Sequence, residues 1–215
     1  MRTHAALLAI VLFTAPFATR ADPPVKHVEP DLSSPKSATR SLAQAVDAQD
    51  GAAILKIFFA ANDAERDLAQ AFADLIIAGK KLGDAAREQF GAVGDSLGSG
   101  IMSPAELARL DQAEVRENGD VATLVPVGQS RPIQFHRAGQ RWQLMIRDFA
   151  NAEDNLPRQV SLLKKVSSVF TEVAGDISAG KFSSSQEAEA AIQTKLANVM
   201  IRAATQATTR PTTRP

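Results

Sequence analysis

The sequence predicts a helix-rich α+β fold, in which a small antiparallel sheet of about four strands, arranged as two hairpins, packs against long amphipathic helices. Apolar residues recur at helical spacing over residues 63 to about 91, 157–178 and 184–206. Between residues 113 and 147 the period switches to two, and this block contains two glycine turns. Helical segments on both sides of a short block of hairpins are typical of the α+β class.

Composition divides the chain into four segments. Residues 1–21 have a charged start, a short apolar run broken by Pro16 and a small-residue end, which favours a signal peptide cleaved near Ala21; the alternative is an N-terminal membrane anchor. Residues 22–36 are proline-rich and predict a linker. Residues 37–206 are expected to form a single domain. Residues 207–215 carry a TTRP repeat and predict a disordered tail.

The first helices carry recognisable start and stop signals. We expect a helix from about Ser37, a break at Asp50-Gly51, and a second, strongly apolar helix over AAILKIFFA. Asn62 is then expected to cap a long third helix, because Glu65 lies three residues later and completes a capping box.

The later helices are predicted in the same way. Residues 90–102 contain four glycines and predict a flexible connection, after which Ser103 opens a short helix that ends around Leu110. Gly180 is expected to end the first C-terminal helix, and the serine cluster 183–185 to cap the last one.

The first hairpin is predicted from the Asn118-Gly119 dipeptide, a strong signal for a two-residue turn. Placing these two residues at the centre of the turn sets Val115 against Ala122. The residues that then share one face are Ala113, Val115, Ala122 and Leu124.

The second hairpin contains one of three histidines and the single tryptophan. An even-numbered loop around residues 138–139 sets His136 opposite Arg141 and Phe135 opposite Trp142, and separates apolar from polar side chains. The apolar face then holds Ile133, Phe135, Trp142, Leu144 and Ile146, and the polar face holds Gln134, His136, Arg141 and Gln143.

Three stretches resemble the NTF2-like (cystatin-like cone) family: SPKSATRSLAQAVDAQDGAAILKIF (34–58), ENGDVATLV (117–125) and FHRAGQRWQLMI (135–146). They are similar to the family's opening helices, its acidic-Asn-Gly-Asp hairpin and its closing Gly-x-x-Trp strand. The arrangement with a late GKFSSSQEAEAAI segment also resembles a group of exported bacterial proteins of helix-rich α+β type. The resemblance implies either a binding module or a small enzyme with a cone-shaped cavity, and it carries over no catalytic residue.

Composition removes several classes of function. The chain has no cysteine, which excludes disulfides, thiolate nucleophiles, cysteine-ligated zinc and lipid attachment through cysteine. We therefore do not expect a lipoprotein. Lysine plus arginine equals aspartate plus glutamate at 24 each, and no basic cluster predicts nucleic-acid binding. No phosphate-loop, dinucleotide, HExxH or EF-hand pattern is present, so we expect no cofactor, no metal and no catalytic residue.

The sequence therefore predicts an exported protein, periplasmic or extracellular, that acts as a non-catalytic binding module for a protein or a small apolar ligand. The candidate ligand contacts are His136 and Arg141, which would bind an anion if their face lined a cleft; otherwise His136 is an ordinary polar-face residue. The alternative is a small cofactor-independent isomerase or cyclase with an NTF2-like cavity. A closed pocket holding a buried acid or histidine would favour the enzyme. A filled core with an exposed apolar groove would favour the binding module.

Overall fold

The computed structural model describes residues 26–98, 109–126, 132–150 and 155–208. The predicted signal peptide, most of the predicted terminal tail and the start of the helix predicted at Ser103 lie outside these residues. Within them the chain has a helix-rich α+β architecture, which confirms the predicted fold class.

Five α-helices occupy most of the described chain. They are α1 (Pro35–Asp47), α2 (Gly51–Ile57), α3 (Asp63–Phe90), α4 (Leu156–Ser178) and α5 (Ser185–Thr208). The first begins two residues before the predicted Ser37, because Ser34 is its cap and accepts a hydrogen bond from the Ser37 N–H at 3.1 Å. A 3₁₀ helix, Gly91–Gly98, follows α3 where the sequence predicted a flexible connection.

The sheet has five strands in the order β1-β5-β4-β3-β2, where four were expected. They are β1 (Phe58–Phe59), β2 (Glu114–Asn118), β3 (Val121–Val125), β4 (Ile133–Ala138) and β5 (Arg141–Met145). The additional strand, β1, pairs parallel to β5, so the sheet is mixed and not purely antiparallel. The sequence placed these two phenylalanines in the second helix, which instead ends at Ile57.

Both hairpins turn one residue later than predicted. Asn118 pairs with Val121, and Ala138 pairs with Arg141, so a glycine is the first and not the second residue of each two-residue turn. The φ angles of these glycines are +62° and +66°, and the residue after each has no positive φ. Positive φ at the first central position alone is the pattern of a type II′ turn.

The predicted cross-strand pairs are therefore wrong, although the predicted faces are right. His136 lies opposite Gln143 and not opposite Arg141, and Phe135 lies opposite Leu144. When a turn moves by one residue, each residue of the first strand pairs with a residue two positions further along the second strand. Side chains alternate between the two faces, so a shift of two residues leaves every side chain on its own face of the sheet. Trp142 accordingly remains on the buried face.

Buried apolar residues form two clusters. The sheet cluster lies between one face of the sheet and helices α1, α2 and the first half of α3, and it includes Leu42, Ile54, Phe135 and Leu144. The helix cluster lies between the second half of α3, α4 and α5. Both share α3, whose 28 residues extend about 42 Å at 1.5 Å per residue.

The described part of the predicted linker is extended but packed on the domain. The Leu32 side chain is buried, and its carbonyl accepts a hydrogen bond from the Trp142 N–H at 2.8 Å. The Asp50 carboxylate is also buried and accepts hydrogen bonds from the Val28 N–H at 2.9 Å and the Ala53 N–H at 3.0 Å. The same carboxylate therefore caps α2 and holds the N-terminal segment against it.

Candidate functional site

An open groove of about 450 Å³ runs along the β1 edge of the sheet. Its apolar lining comes from the end of α2, from β1 and from the first turns of α3, and consists of Leu55, Phe58, Phe59, Ala60 and Ala69. Three polar side chains complete it: Arg66, Gln70 and Gln143. We call it the β1 groove. Its volume lies within the range of roughly 300–1,000 Å³ that is usual for small-molecule sites.

The short strand β1 creates this groove because it carries the chain sideways between two helices. At Phe58 the backbone leaves the helical region, with φ −86° and ψ 137°, and α3 begins only after the Asn62 cap. The Phe58 ring is buried and makes edge contacts with Phe72 and Phe149, at centroid distances of 5.7 Å and 6.0 Å. These aromatic contacts give the groove a rigid apolar floor.

The Gln143 side chain of β5 links β1 to the rest of the sheet by hydrogen bonds. Its amide nitrogen donates to the Lys56 carbonyl at 2.8 Å and to the Phe58 carbonyl at 3.3 Å. The first of these carbonyls belongs to the last turn of α2, where helix carbonyls have no partner within the helix. A β5 side chain therefore satisfies both the end of α2 and the start of β1.

The two predicted contact residues share one face of the second hairpin, as neighbours on a diagonal. His136 lies on the face of the sheet opposite the core, half-buried, and its ring stacks on Phe59 with centroids 4.0 Å apart. It therefore borders the β1 groove through Phe59. Arg141 is exposed and pairs with Ala138 across the hairpin, two positions further along the strands than the His136–Gln143 pair and therefore on the same face of the sheet. The anion contact predicted for His136 and Arg141 therefore stays a prediction.

Arg66 is the one charged side chain among the described residues that line the groove. It is largely exposed, and its guanidinium pairs with Asp63 one turn earlier in α3. Gln70 lies one turn further and donates to Asp74 at 2.8 Å. The polar rim of the groove is therefore carried by the first turns of α3.

The buried carboxylates serve as helix caps. Burial acts to raise the pKa of Asp50, but hydrogen bonds from the Val28 and Ala53 N–H groups and from His27 outweigh it and hold the pKa below 3.8. Glu65 accepts from the Ala61 N–H at 2.9 Å, and Asn62 accepts from the Glu65 N–H at 3.0 Å. The Asn62 cap is the one predicted, whereas the Glu65 carboxylate bonds the N–H of the residue before the cap and not that of Asn62 itself; neither acid lines the β1 groove.

His27, which lies in the predicted linker, donates a hydrogen bond of 2.7 Å to the buried Asp50 carboxylate, while most of its side chain stays exposed. Across the described parts of the chain, no group of three or more histidine, aspartate or glutamate side chains is placed to hold a metal ion. No helix there is long and apolar enough to cross a membrane.

Sequence reasoning did not single out Phe59, Arg66 or Gln143 as residues of a site. The available signal was the pair of phenylalanines directly before Ala-Ala-Asn, because aromatic residues favour strands and Asn62 marks a helix start. That combination leaves room for a short strand between two helices. The parallel partner strand lies more than 80 residues away in the chain, and only the tertiary structure shows it.

Comparison of the chain with known protein families, with curated proteins and with solved structures gives no match. The resemblance to the NTF2-like family stays a prediction.

Proposed function

We propose that this protein is an exported, non-catalytic binding module that takes a small apolar ligand in the β1 groove. The observation that carries the proposal is the open groove of about 450 Å³ with a mainly apolar lining beside a rigid aromatic floor. Export rests on the sequence of residues 1–21 alone.

The packing of the sheet supports a binding groove outside the core. Phe135, Trp142 and Leu144 fill the space between the sheet and the helices, and each is at most 4 % exposed. An enzyme of the isomerase or cyclase type would need its cavity in that space. Apolar surface is instead left accessible at the edge of the sheet, where Phe59 is only half-buried. Accessible apolar surface in a concave site favours ligand binding.

The test is binding of an uncharged apolar fluorophore, N-phenyl-1-naphthylamine, followed by its fluorescence increase. The Gln70→Trp variant places a large ring at the rim of the groove, and we expect it to weaken binding about tenfold, because the ring takes the space of the probe.

The matched control is Gln193→Trp in α5. Gln193 is also exposed on a helix and bonds a carboxylate four residues away, Glu189, as Gln70 bonds Asp74. Gln193 lies outside the groove, so the affinity of the Gln193→Trp variant for the probe should equal that of the unchanged protein. Equal affinity of all three proteins, or no binding by any of them, would overturn the proposal. Weaker binding by the α5 variant alone would locate the ligand elsewhere.

A further inference from the structure

We propose that the ligand of the β1 groove is an amphiphilic anion, with an aliphatic chain on the apolar lining and a carboxylate held by Arg66. This inference rests on the proposed function, since it specifies the chemistry of the ligand at the same site.

Charge favours an anionic head group. Arg66 is the single charged side chain among the described lining residues, and no described carboxylate lines the groove. A cationic ligand would therefore meet a guanidinium in the lining, while the carboxylates beside the rim, Asp63 and Asp74, are already bonded to Arg66 and Gln70. A carboxylate would meet a planar fork of N–H donors that matches its two oxygens.

Arg66 can exchange its present partner for a ligand. Its ion pair with Asp63 joins two exposed side chains, 65 % and 88 % exposed, on one face of α3. Exposed pairs of this kind are weak because water solvates both charges. A ligand carboxylate next to the apolar floor would be partly shielded from water, and the same pairing is stronger there.

Other polar groups of the groove have their donors engaged. Both amide hydrogens of Gln143 are used by the carbonyls of Lys56 and Phe58. At the start of α3, the Glu65 N–H donates to the Asn62 side chain, and the Arg66 N–H donates to the Asn62 carbonyl. We therefore assign the head group to the Arg66 side chain, the charged donor among the described lining residues.

The apolar end of the groove accounts for the chain of the ligand. Phe58 and Phe59 are consecutive in β1 and so face opposite sides of the strand, yet both line the groove together with Leu55. The groove therefore passes along the edge of the strand. An extended aliphatic chain fits such a path.

The experiment compares decanoate and decanol as competitors for bound N-phenyl-1-naphthylamine at low ionic strength. The two compounds share an apolar chain and differ in the charge of the head group. We expect decanoate to bind about tenfold more tightly than decanol to the unchanged protein. Arg66→Met should remove this preference while leaving the affinity for decanol unchanged.

Two further variants separate recognition from structure. Arg40→Met is the matched control, because Arg40 is an exposed helical arginine paired with an exposed carboxylate, Asp111, and does not line the groove. It should keep the preference for decanoate. Asp63→Asn frees the Arg66 guanidinium and should tighten decanoate binding about threefold, an effect that a merely structural arginine would not produce.

Each outcome decides the inference. Equal affinities for decanoate and decanol, with no effect of Arg66→Met, overturn the anionic head group while the groove stays a ligand site. Equal weakening of both competitors by Arg66→Met also overturns it, since the arginine would then act only on the shape of the groove. If neither competitor displaces the probe and the probe itself does not bind, the proposed function falls as well.

Discussion

The sheet cluster and the helix cluster are both built on α3, but they bury their side chains to different degrees. In the sheet cluster, residues from three helices and the sheet surround side chains such as Ile54 and Phe135, which have no exposed surface. In the helix cluster, α5 packs along one side only, and Met200 and Ile201 near its end remain more than half exposed.

This difference shows how one long helix supports two kinds of packing. A sheet face covered by helices encloses a side chain from all directions, whereas three helices leave the outer positions open. The β1 groove lies where the sheet cluster reaches the surface. We therefore expect the β1 groove to depend on the sheet cluster and to tolerate changes in the helix cluster.

The largest difference is expected for the same substitution in each cluster. Ile54→Ala removes a side chain with no exposed surface from the sheet cluster and should lower the free energy of unfolding by about 4 kcal/mol. Ile192→Ala removes a side chain that is 9 % exposed in the helix cluster and should cost about 2 kcal/mol, because its surroundings can relax into the space. Urea unfolding measured by circular dichroism gives both values. Equal losses would contradict the comparison.

A second difference concerns the caps of α2 and α5. Asp50→Ala should cost about 2–3 kcal/mol at pH 7, because it removes a cap and leaves the buried Val28 and Ala53 N–H groups without an acceptor. Ser184→Ala, which removes the cap of α5, should cost about 0.5 kcal/mol, because the Glu187 N–H that it accepts is exposed to water.

The Asp50 effect should also depend on pH. The folded-state pKa of this carboxyl lies below its ordinary value of 3.8, so the ionised form contributes stability that is fully present above pH 3.8. As the pH falls from that value through the folded pKa, Asp50 becomes protonated and the contribution is lost. The difference between the unchanged protein and Asp50→Ala should therefore shrink in urea titrations below pH 3.8. A difference that grows on acidification would show that the pKa is raised instead.

Substitutions of two glycines are expected to have small effects of opposite sign. Gly139 has φ +66° at the hairpin of the sheet, so Gly139→Ala should destabilise the protein by about 1 kcal/mol. Gly175 lies in α4, where an added Cβ would meet nothing within 4 Å. Gly175→Ala should therefore stabilise the protein by about 0.5–1 kcal/mol, since alanine favours the helix. Thermal unfolding of the two variants should move in opposite directions from the unchanged protein.

Local signals in the sequence determined the fold class, the ends of most helices and the two faces of the sheet. Asn62, Gly180 and the serine cluster act on the backbone within a few residues, so their effect is readable from the chain alone. The face of each strand follows from the alternation of apolar residues, which is why Trp142 and His136 were assigned to the correct sides even though the turns were displaced.

Tertiary structure alone decided the fifth strand, the turn register and the groove. Phe58 and Phe59 leave the helix because β5 and the Gln143 amide offer their backbone partners from more than 80 residues away, and local propensity carries no information about such a partner. The groove needs α2, β1, α3 and β5 together, so none of its polar residues stands out in the sequence. Periodicity records which side of an element is buried, but not which surfaces the completed fold brings side by side.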